Sequence, residues 1–416
     1  MRIALITAHS PVAGTSAGSQ PAQSASLARA LAGHGHRVTM YARQENSSRP
    51  RSSILGRGVS VEHVPVGPLR QLGPEQVARY LPEFAARLSE HWRARQPDVV
   101  HAFSWIGGLA ALGAVRGTDI PVVQTFESLG SAERRQGGSC AVSAARVQLE
   151  ASIARAADIV LAGSSDEAAE LARLAVPKSG VRVVPGGIDT DVFAPEGRRA
   201  PRGSRFRLVA VATAGEPRGL HTVVRALTQL PGTELVIAGG PDARHLPRAG
   251  AWRELARLAA GTGVRSRISF AGELDQAGLS DLFRSADLMV GASAYEPNGT
   301  AAIQAMACGT PVVVSGVGGH FDAVVDGVTG VLVAPEQPAM LAQRVRGLLG
   351  LPVQLQAFGI AAADRARSRY SFDRIAQETT AAYEHCRCAR TAALTATVDE
   401  ELADVAEEVR GVAAFA

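Results

Sequence analysis

The sequence contains very little lysine and cysteine. Lys178 is the only lysine among its 43 lysine and arginine residues, so the formal net charge of +4 rests on arginine. The arginines are scattered along the chain, whereas a nucleic-acid-binding protein concentrates its cations on one face. The four cysteines lack metal-ligand spacing, and Cys386-x-Cys388 is too short for a Cys-x-x-Cys site. These features predict a reduced, cytoplasmic protein with no metal site and no nucleic-acid partner.

Long hydrophobic runs are also missing. No stretch reaches the length needed to cross a membrane, and residues 1–7 lack the charged segment and long apolar core of a signal peptide. We therefore expect no membrane span. The 46% apolar and 20% charged residues are ordinary for a globular enzyme. A chain of 416 residues is too long for one compact core, so two domains are expected.

Apolar segments of strand length alternate with segments of helical periodicity. A helix is predicted over residues 22–35, and the first predicted strands are 2–8, 37–43, 60–66, 98–103, 121–126, 158–164 and 181–187. Residues 195–207, PEGRRAPRGSRFR, interrupt the pattern and predict a linker. The alternation then resumes with predicted strands at 206–213, 234–240, 267–272, 287–293, 311–316 and 330–333.

This alternation predicts an α/β fold of two doubly wound, Rossmann-like domains in tandem. We assign residues 1–195 to the first domain and 205–370 to the second. Ligands bind such sheets beyond the carboxyl ends of the strands, so two facing domains would place one central cleft between them. Residues 389–416 form an acidic helical tail, either solvated or in contact with a second copy in a homodimer.

Residues 293–319, SAYEPNGTAAIQAMACGTPVVVSGVGG, predict a strand end, a loop, a helix, a strand and a second glycine pair. Residues 296–333 resemble the signature of the retaining GT-B glycosyltransferases of family 4, usually Glu-Pro-Phe-Gly, four residues, then Glu-Ala-Met-Ala-x-Gly-x-Pro-Val-Val. VVPGGIDTDVFAPEG, residues 183–197, resembles the Pro-Gly-Val-Asp-x-x-x-Phe segment at the domain junction of that family. The match spans about residues 1–385 and is strongest to the actinobacterial branch that includes the mycothiol glycosyltransferases.

The resemblance implies a GT-B fold and a division of labour between its domains. The first domain would bind a small-molecule acceptor, and the second would bind a nucleotide sugar. A final helix over residues 371–388 would cross back and complete the first domain. The resemblance implies no metal and no cofactor beyond the nucleotide-sugar co-substrate.

The start of the motif helix is the predicted donor site. A helix N-terminus offers a diphosphate free N–H groups and a favourable dipole, and Gly299 and Thr300 open this helix. The resemblance implies that Glu296 accepts hydrogen bonds from the sugar hydroxyls at C3 and C4, with Pro297 and Asn298 in the same loop. Glu296 could instead cap the helix.

Two donor-site positions depart from the family pattern on the second domain. Gln304 stands where the family has an acidic residue that accepts hydrogen bonds from the ribose hydroxyls. An amide oxygen can still accept such a bond. The alternative is a helix-surface glutamine. In ATAGEPRG, residues 212–219, Thr213 replaces a phosphate-gripping arginine, while Arg218 replaces a lysine and keeps a cation with forked donors.

The first domain departs from the pattern as well. In SAGSQ, residues 16–20, Gly18 is retained next to the phosphate or the acceptor, or is a plain turn glycine. Ser19 replaces the adjacent glycine and is assigned to the acceptor side. The largest departure is Glu127, because the related branch commonly has a histidine there, near C6 of the transferred sugar and the reacting centre. We assign Glu127 a catalytic role together with Glu296; the alternative is a solvated loop carboxylate.

Three further residues are candidate acceptor ligands. His101 lies at the end of the predicted strand 98–103 and either lines the cleft or is a structural histidine. Arg134 and Arg135 lie on a predicted loop and either hold an anionic acceptor group or are surface arginines.

We therefore expect a retaining glycosyltransferase of secondary metabolism. In front-face displacement the leaving diphosphate can take the acceptor proton, so the lost histidine does not abolish activity. A carboxylate at Glu127 favours a donor sugar with a cationic amine at or beyond C6. A thiol acceptor fits too, because a thiolate needs no neighbouring base.

Both features together resemble the S-glycosyltransferases of lincosamide antibiotic biosynthesis, which join a GDP-activated amino-octose to the thiol of ergothioneine. One alternative is an O-glycosyltransferase acting on an aminocyclitol or inositol. Others are a catalytically inactive binding or scaffold homologue, and an epimerase.

Overall fold

The computed structural model describes residues 1–7, 20–135, 142–203, 206–212, 217–241, 244–245 and 250–413. Its strands form two separate sheets, one in each half of the chain.

The first sheet has eight strands. They are β1 (Arg2–Thr7), β2 (Arg37–Arg43), β3 (Ser52–Gly56), β4 (Val59–Val64), β5 (Val99–Phe103), β6 (Val122–Thr125), β7 (Ile159–Ala162) and β8 (Val181–Val183). Their order is β3-β4-β2-β1-β5-β6-β7-β8, and all neighbours are parallel except β3 and β4. The helices of this half are α1 (Gln20–Gly33), α2 (Pro74–Ala78), α3 (Leu81–Ala94), α4 (Ser104–Ala114), α5 (Gly130–Arg135), α6 (Ala144–Ala156) and α7 (Ser165–Arg173).

The second sheet has six strands, all parallel. They are β9 (Phe206–Val211), β10 (Thr233–Ala238), β11 (Ile268–Gly272), β12 (Leu288–Gly291), β13 (Val312–Ser315) and β14 (Gly330–Val333), in the order β11-β10-β9-β12-β13-β14. Its helices are α8 (Leu220–Leu227), α9 (Gly250–Gly261), α10 (Gln276–Ser285), α11 (Thr300–Ala307), α12 (Gly319–Ala323), α13 (Pro338–Leu349) and α14 (Pro352–Tyr370).

Both faces of each sheet are buried, as a doubly wound domain requires. In β1, Ile3 and Leu5 belong to one hydrophobic cluster, while Ala4 and Ile6 belong to the cluster on the opposite face. Residues of β9 divide between two clusters in the same alternating way. The prediction of two doubly wound α/β domains is confirmed. The strand order reverses between β1 and β5 and between β9 and β12, and ligands bind such folds beyond the strand ends at these reversals.

The sequence prediction missed β3. This short strand pairs antiparallel with β4 at the edge of the first sheet, and Ile54 is 85% exposed. An edge strand without a buried face lacks the apolar run by which the other strands were found.

The last helix, α15 (Phe372–Ala413), returns to the first domain. Its residues Ile375, Tyr383 and Cys386 are buried in the cluster that contains the first strands of the first sheet. Arg390, which the prediction assigned to the tail, donates to Asp158 of the first domain at 2.8 Å. Contact with the first domain therefore extends beyond residue 388, and the tail begins later than predicted.

Within the described ranges, no single helix has the length and apolarity needed to cross a membrane. Helices α13 and α14 meet the length and composition test only jointly, and they are bent by 101° at their junction.

The attachment of α15 can be tested at Tyr383. Its hydroxyl pairs with Nδ1 of the buried His101 at 2.7 Å, and Nε2 of His101 pairs with the hydroxyl of Thr125 at 2.9 Å. Replacing Tyr383 with Phe leaves a buried ring nitrogen without its partner, which costs about 1–3 kcal/mol. We expect the free energy of unfolding of the Y383F variant, measured by urea titration, to be lower by that amount. The exposed Arg387→Gln on the same helix is the control, and equal stability of the two variants would contradict the account.

Candidate functional site

A cavity of about 700 Å³ lies between the two domains. On one side its wall is formed by the ends of β5, β6 and β7 together with α1 and α15. On the other side the wall is formed by the ends of β9, β10 and β12 and by the start of α11. The cavity therefore lies where both sheets reverse their strand order.

Two glycine-containing loops meet at the start of α11. Gly299 precedes the helix with a φ of +65°, a conformation that favours glycine, and a Cβ there would lie 3.2 Å from the carbonyl of Gly319. The amide of Gly319 donates to the carbonyl of Glu296 at 2.9 Å. A Cβ at Gly318 would collide with the same carbonyl of Glu296. The second glycine pair of the motif, Gly318 and Gly319, thus allows the loop before α12 to pack against the loop that carries Glu296.

Glu296 lies in the cavity wall and is 9% exposed. Its Oε1 accepts a hydrogen bond from the amide of Gly299 at 3.3 Å. This contact is to the amide of the residue that precedes α11, so it fixes the loop at the helix start without capping an N–H group inside the helix. Because the same side chain also faces the cavity, this hydrogen bond would fix the carboxylate in place for a ligand; its role in sugar binding stays a prediction.

The other predicted donor residues of the motif lie in the same wall. Pro297, Asn298, Thr300 and Gln304 all line the cavity. Gln304 lies one turn beyond Thr300 and is 3% exposed, so it is not a solvated helix-surface residue. The structure therefore brings the motif residues together on one side of the cleft.

Arg218 lines the cavity from the turn before α8 and is exposed. Gly219 follows it with a φ of +71°, and a Cβ there would collide with the backbone of Ala292 and Ser293. This close approach sets Arg218 beside the end of β12. The predicted residues Gly18, Ser19 and Thr213 lie outside the described residues.

His320 is a cavity residue that the sequence analysis did not single out. It follows the second glycine pair, is 4% exposed, and its Nδ1 donates to the carbonyl of Ser315 at 2.9 Å. Burial lowers the pKa of His320, while the nearby Glu296 carboxylate opposes this. Its position directly after Gly318 and Gly319 is the sequence feature from which it could have been predicted.

Glu127 lies in the opposite wall, after β6. Its φ is +67°, which costs a non-glycine residue of order 1–3 kcal/mol. Its Oε2 is buried and has no hydrogen-bond partner in the described part of the chain. Burial raises the pKa of Glu127 to about 8, and the Glu167 carboxylate adds to this rise. Glu127 is therefore not a solvated loop carboxylate, and burial favours its protonated form at neutral pH.

Two more acidic residues belong to this region: Glu133 lines the cavity, whereas Glu167 lies outside the lining and acts on Glu127 through its charge. Burial raises the pKa of Glu167 to about 7, and its Oε2 accepts from the amide of Gly163 at 2.6 Å. Glu133 of α5 lines the cavity and lies 3.6 Å from Arg146. Sequence reasoning missed both, because neither belongs to a motif.

The structure places the three candidate acceptor residues in different surroundings. His101 lines the cavity but is 1% exposed, both ring nitrogens have protein partners, and burial lowers its pKa to about 3. These contacts favour the structural alternative for His101. Arg134 and Arg135 are exposed at the end of α5 and lie outside the cavity wall as the described residues define it. Arg135 donates to Glu170 at 2.9 Å, so the anion-holding role predicted for this pair has no support in the structure.

The two walls of the cavity thus carry different chemical groups. One wall offers the N-terminus of α11 and the guanidinium of Arg218, which suit an anion such as a diphosphate. The other wall offers Glu127 and Glu133, which suit a cation.

Comparison with known proteins identifies the fold. Residues 20–187 match the family model described as Glycosyl transferase 4-like domain, and residues 198–365 match the model described as Glycosyl transferases group 1. The chain belongs to the group 1 glycosyltransferases. The predicted family, the GT-B fold and the assignment as a glycosyltransferase are confirmed.

Characterised relatives of this glycosyltransferase include D-inositol 3-phosphate glycosyltransferases. Glycosyltransferase 2 of that name from Catenulispora acidiphila is 32% identical over 406 residues, which is 92% of this chain and 94% of the relative. The protein from Mycolicibacterium paratuberculosis is 32% identical over 398 residues, covering 92% and 90% of the two chains.

Solved structures share the same fold. Sucrose-phosphate synthase from Thermosynechococcus elongatus superposes with a TM-score of 0.84 at 27% identity, covering 93% of this chain and 99% of the other. Anabaena HepE, solved in complex with UDP and glucose, superposes with a TM-score of 0.70 at 19% identity, covering 92% and 99%.

The role of Glu296 can be tested by substitution. Glu296→Ala should lower the rate of sugar transfer at least ~10²-fold, because losing a charged acceptor to a hydroxyl costs about 1.5–3 kcal/mol and more if it orients the transition state. Glu296→Gln is the matched control, since its amide oxygen can still accept from Gly299, and it should lose less. Near-normal turnover of a folded E296A variant would remove Glu296 from the site.

Proposed function

We propose that this glycosyltransferase moves an aminosugar from a nucleoside diphosphate to a small polar acceptor with retention of configuration, in secondary metabolism. Its specific form would be transfer of a GDP-activated amino-octose to the thiol of ergothioneine, as in lincosamide antibiotic biosynthesis. The observation that carries the aminosugar is the buried, unpartnered Oε2 of Glu127 in the cavity wall.

The donor diphosphate would lie at the start of α11. Thr300 and Ala301, the first residues of α11, line the cavity there, and Arg218 reaches the same cavity from the turn before α8. Their positive potential would stabilise the charge of the leaving diphosphate. We accordingly propose that transfer needs no metal ion.

The sugar and the ribose would contact the same loop and helix. Glu296, fixed by its bond to Gly299, would accept hydrogen bonds from the sugar hydroxyls. Gln304 is buried in the wall one turn along α11, where its amide oxygen would accept from the ribose.

The far end of the donor sugar would reach Glu127. A protonated amine at or beyond C6 would displace the proton of this buried carboxyl group and form an ion pair. A pair inside a water-poor cleft gains more than an exposed one. A sugar with a hydroxyl in that place would leave the carboxyl group without a counter-charge.

The proposed step is a front-face displacement. The acceptor sulfur forms a bond to the anomeric carbon, the bond from that carbon to the diphosphate oxygen breaks, and the thiol proton passes to the leaving diphosphate. A thiol suits this cleft because both nitrogens of His101 are already bonded to protein groups, and a thiolate needs no side-chain base.

Transfer to a hydroxyl of an inositol or an aminocyclitol is the second candidate. It is favoured by the relatives named D-inositol 3-phosphate glycosyltransferases. A catalytically inactive scaffold is less well supported, because the loop geometry at Glu296 and Gly299 is intact.

The cellular location and the oligomeric state are also proposals. The protein would act in the cytoplasm, in keeping with the free thiols of Cys308, Cys386 and Cys388. It would form a homodimer if the end of α15 contacts a second copy.

The proposal predicts the products of a substrate panel. GDP- and UDP-sugars, each as the 6-hydroxyl and 6-amino form, are incubated with ergothioneine, D-inositol 3-phosphate and an aminocyclitol, with and without EDTA. We expect a thioglycoside of retained anomeric configuration, formed faster from the amino donors and unaffected by EDTA, identified by mass and by NMR coupling constants.

Three outcomes would contradict parts of the proposal. Products formed only on a hydroxyl would discard the thiol acceptor and favour the second candidate. Equal rates with both donor forms would discard the amine contact. No product and no thermal shift with any nucleotide sugar would favour the scaffold.

A further inference from the structure

A side chain of the donor loop crosses the cleft. Asn298 lies between Pro297 and Gly299 in the second domain, and its Nδ2 donates to the carbonyl oxygen of Glu127 in the first domain at 3.1 Å. This hydrogen bond joins the predicted donor loop to the backbone of the residue whose carboxyl group faces the opposite wall.

The other end of the Asn298 amide, its Oδ1, lies close to the backbone of Gly163. A Cβ added at Gly163, at the end of β7, would lie only 2.5 Å from Oδ1 of Asn298. The amide of Gly163 in turn donates to Glu167. Asn298 therefore packs against the strand end that binds Glu167, the carboxylate whose charge acts on Glu127.

The backbone of Glu127 needs such support. Its left-handed φ of +67° is unfavourable for a residue with a side chain and persists only when surrounding contacts impose it. The hydrogen bond from Asn298 acts on the carbonyl of that same residue. It forms only when the two domains are as close as in this structure, because its two partners belong to different domains.

We propose that Asn298 is a positioning residue whose cross-cleft hydrogen bond holds Glu127 in the conformation that presents its carboxyl group to the cavity. Selectivity for a cationic group on the ligand then depends on domain closure. This inference rests on the proposed function for its substrate, but the hydrogen bond itself can be tested without one.

The structure offers a matched control at a second cross-cleft contact. The amide and the hydroxyl of Ser165, at the start of α7, donate to Asp322 of α12 at 2.6 and 2.7 Å. Ser165→Ala removes one side-chain hydrogen bond between the domains, as Asn298→Ala does, but it does not involve the Glu127 carbonyl.

The first experiment measures hydrogen exchange of the full chain without ligand. In N298A, the backbone amides of residues 126–131 should exchange faster than in the wild type, while in S165A they should not. Unchanged exchange of that segment in N298A, or equal acceleration in both variants, would overturn the positioning role whatever the substrate is.

The second experiment is a double-mutant cycle with Glu127→Gln. The ratio of kcat/KM for GDP-6-amino-6-deoxymannose to that for GDP-mannose is measured in the wild type, N298A, E127Q and the double variant, and the same pair is tested with UDP-glucose donors. N298A should lower the ratio about two- to tenfold, as expected for one hydrogen bond, and should have no further effect once Glu127 is Gln.

The outcomes separate the two claims. An equal loss of the ratio in both backgrounds would show that Asn298 does not act through the Glu127 carboxyl group. A wild-type ratio near one, together with the expected exchange result, would refute the aminosugar while leaving the positioning contact in place.

Discussion

The Glu127 carboxyl group is buried beside a second buried acid, Glu167, and the proposed selectivity of the cleft depends on this burial. Its Oε2 has no hydrogen-bond partner among the described residues, and its backbone is held in a left-handed conformation. A buried charge is tolerated when it is paired, and a buried carboxyl group without a pair keeps its proton instead. Burial therefore favours the protonated form of Glu127, and a cationic group of a ligand would replace that proton.

The opposite wall is built for the other sign of charge. It depends on close backbone approach, since Gly219, Gly299 and Gly318 each occupy positions where a side chain would be strained or would collide. These glycines bring the turn of Arg218 and the N-terminus of α11 to one place. The proposed substrate, with a diphosphate at one end and an amine at the other, would match the guanidinium and helix N-terminus of one wall and the carboxyl groups of the other.

Much of this arrangement could be predicted from the sequence. The buried strands have apolar runs, and the motif from Glu296 to the second glycine pair is local in sequence, so the fold and the grouping of the motif residues in one cavity wall followed from the pattern. The edge strand β3 lacks a buried face and was missed. The partners of His101 and Arg135 come from α15 and α7, far along the chain, so their structural roles could not be read from their own segments. The bond from Asn298 to Glu127 joins residues of different domains, and only the folded chain brings them together.

The most direct test of the account is the number of protons exchanged when ligand binds. Titration calorimetry at pH 7, in two buffers of different ionisation enthalpy, is performed with GDP-6-amino-6-deoxymannose and with GDP-mannose. The pKa of Glu127 is raised to about 8, so most molecules carry its proton at pH 7, and an ion pair with the amine must expel it. The account predicts that the amino ligand releases close to one more proton than the hydroxyl ligand, and that this difference disappears in Glu127→Gln. Equal proton release for the two ligands in the wild type would contradict it.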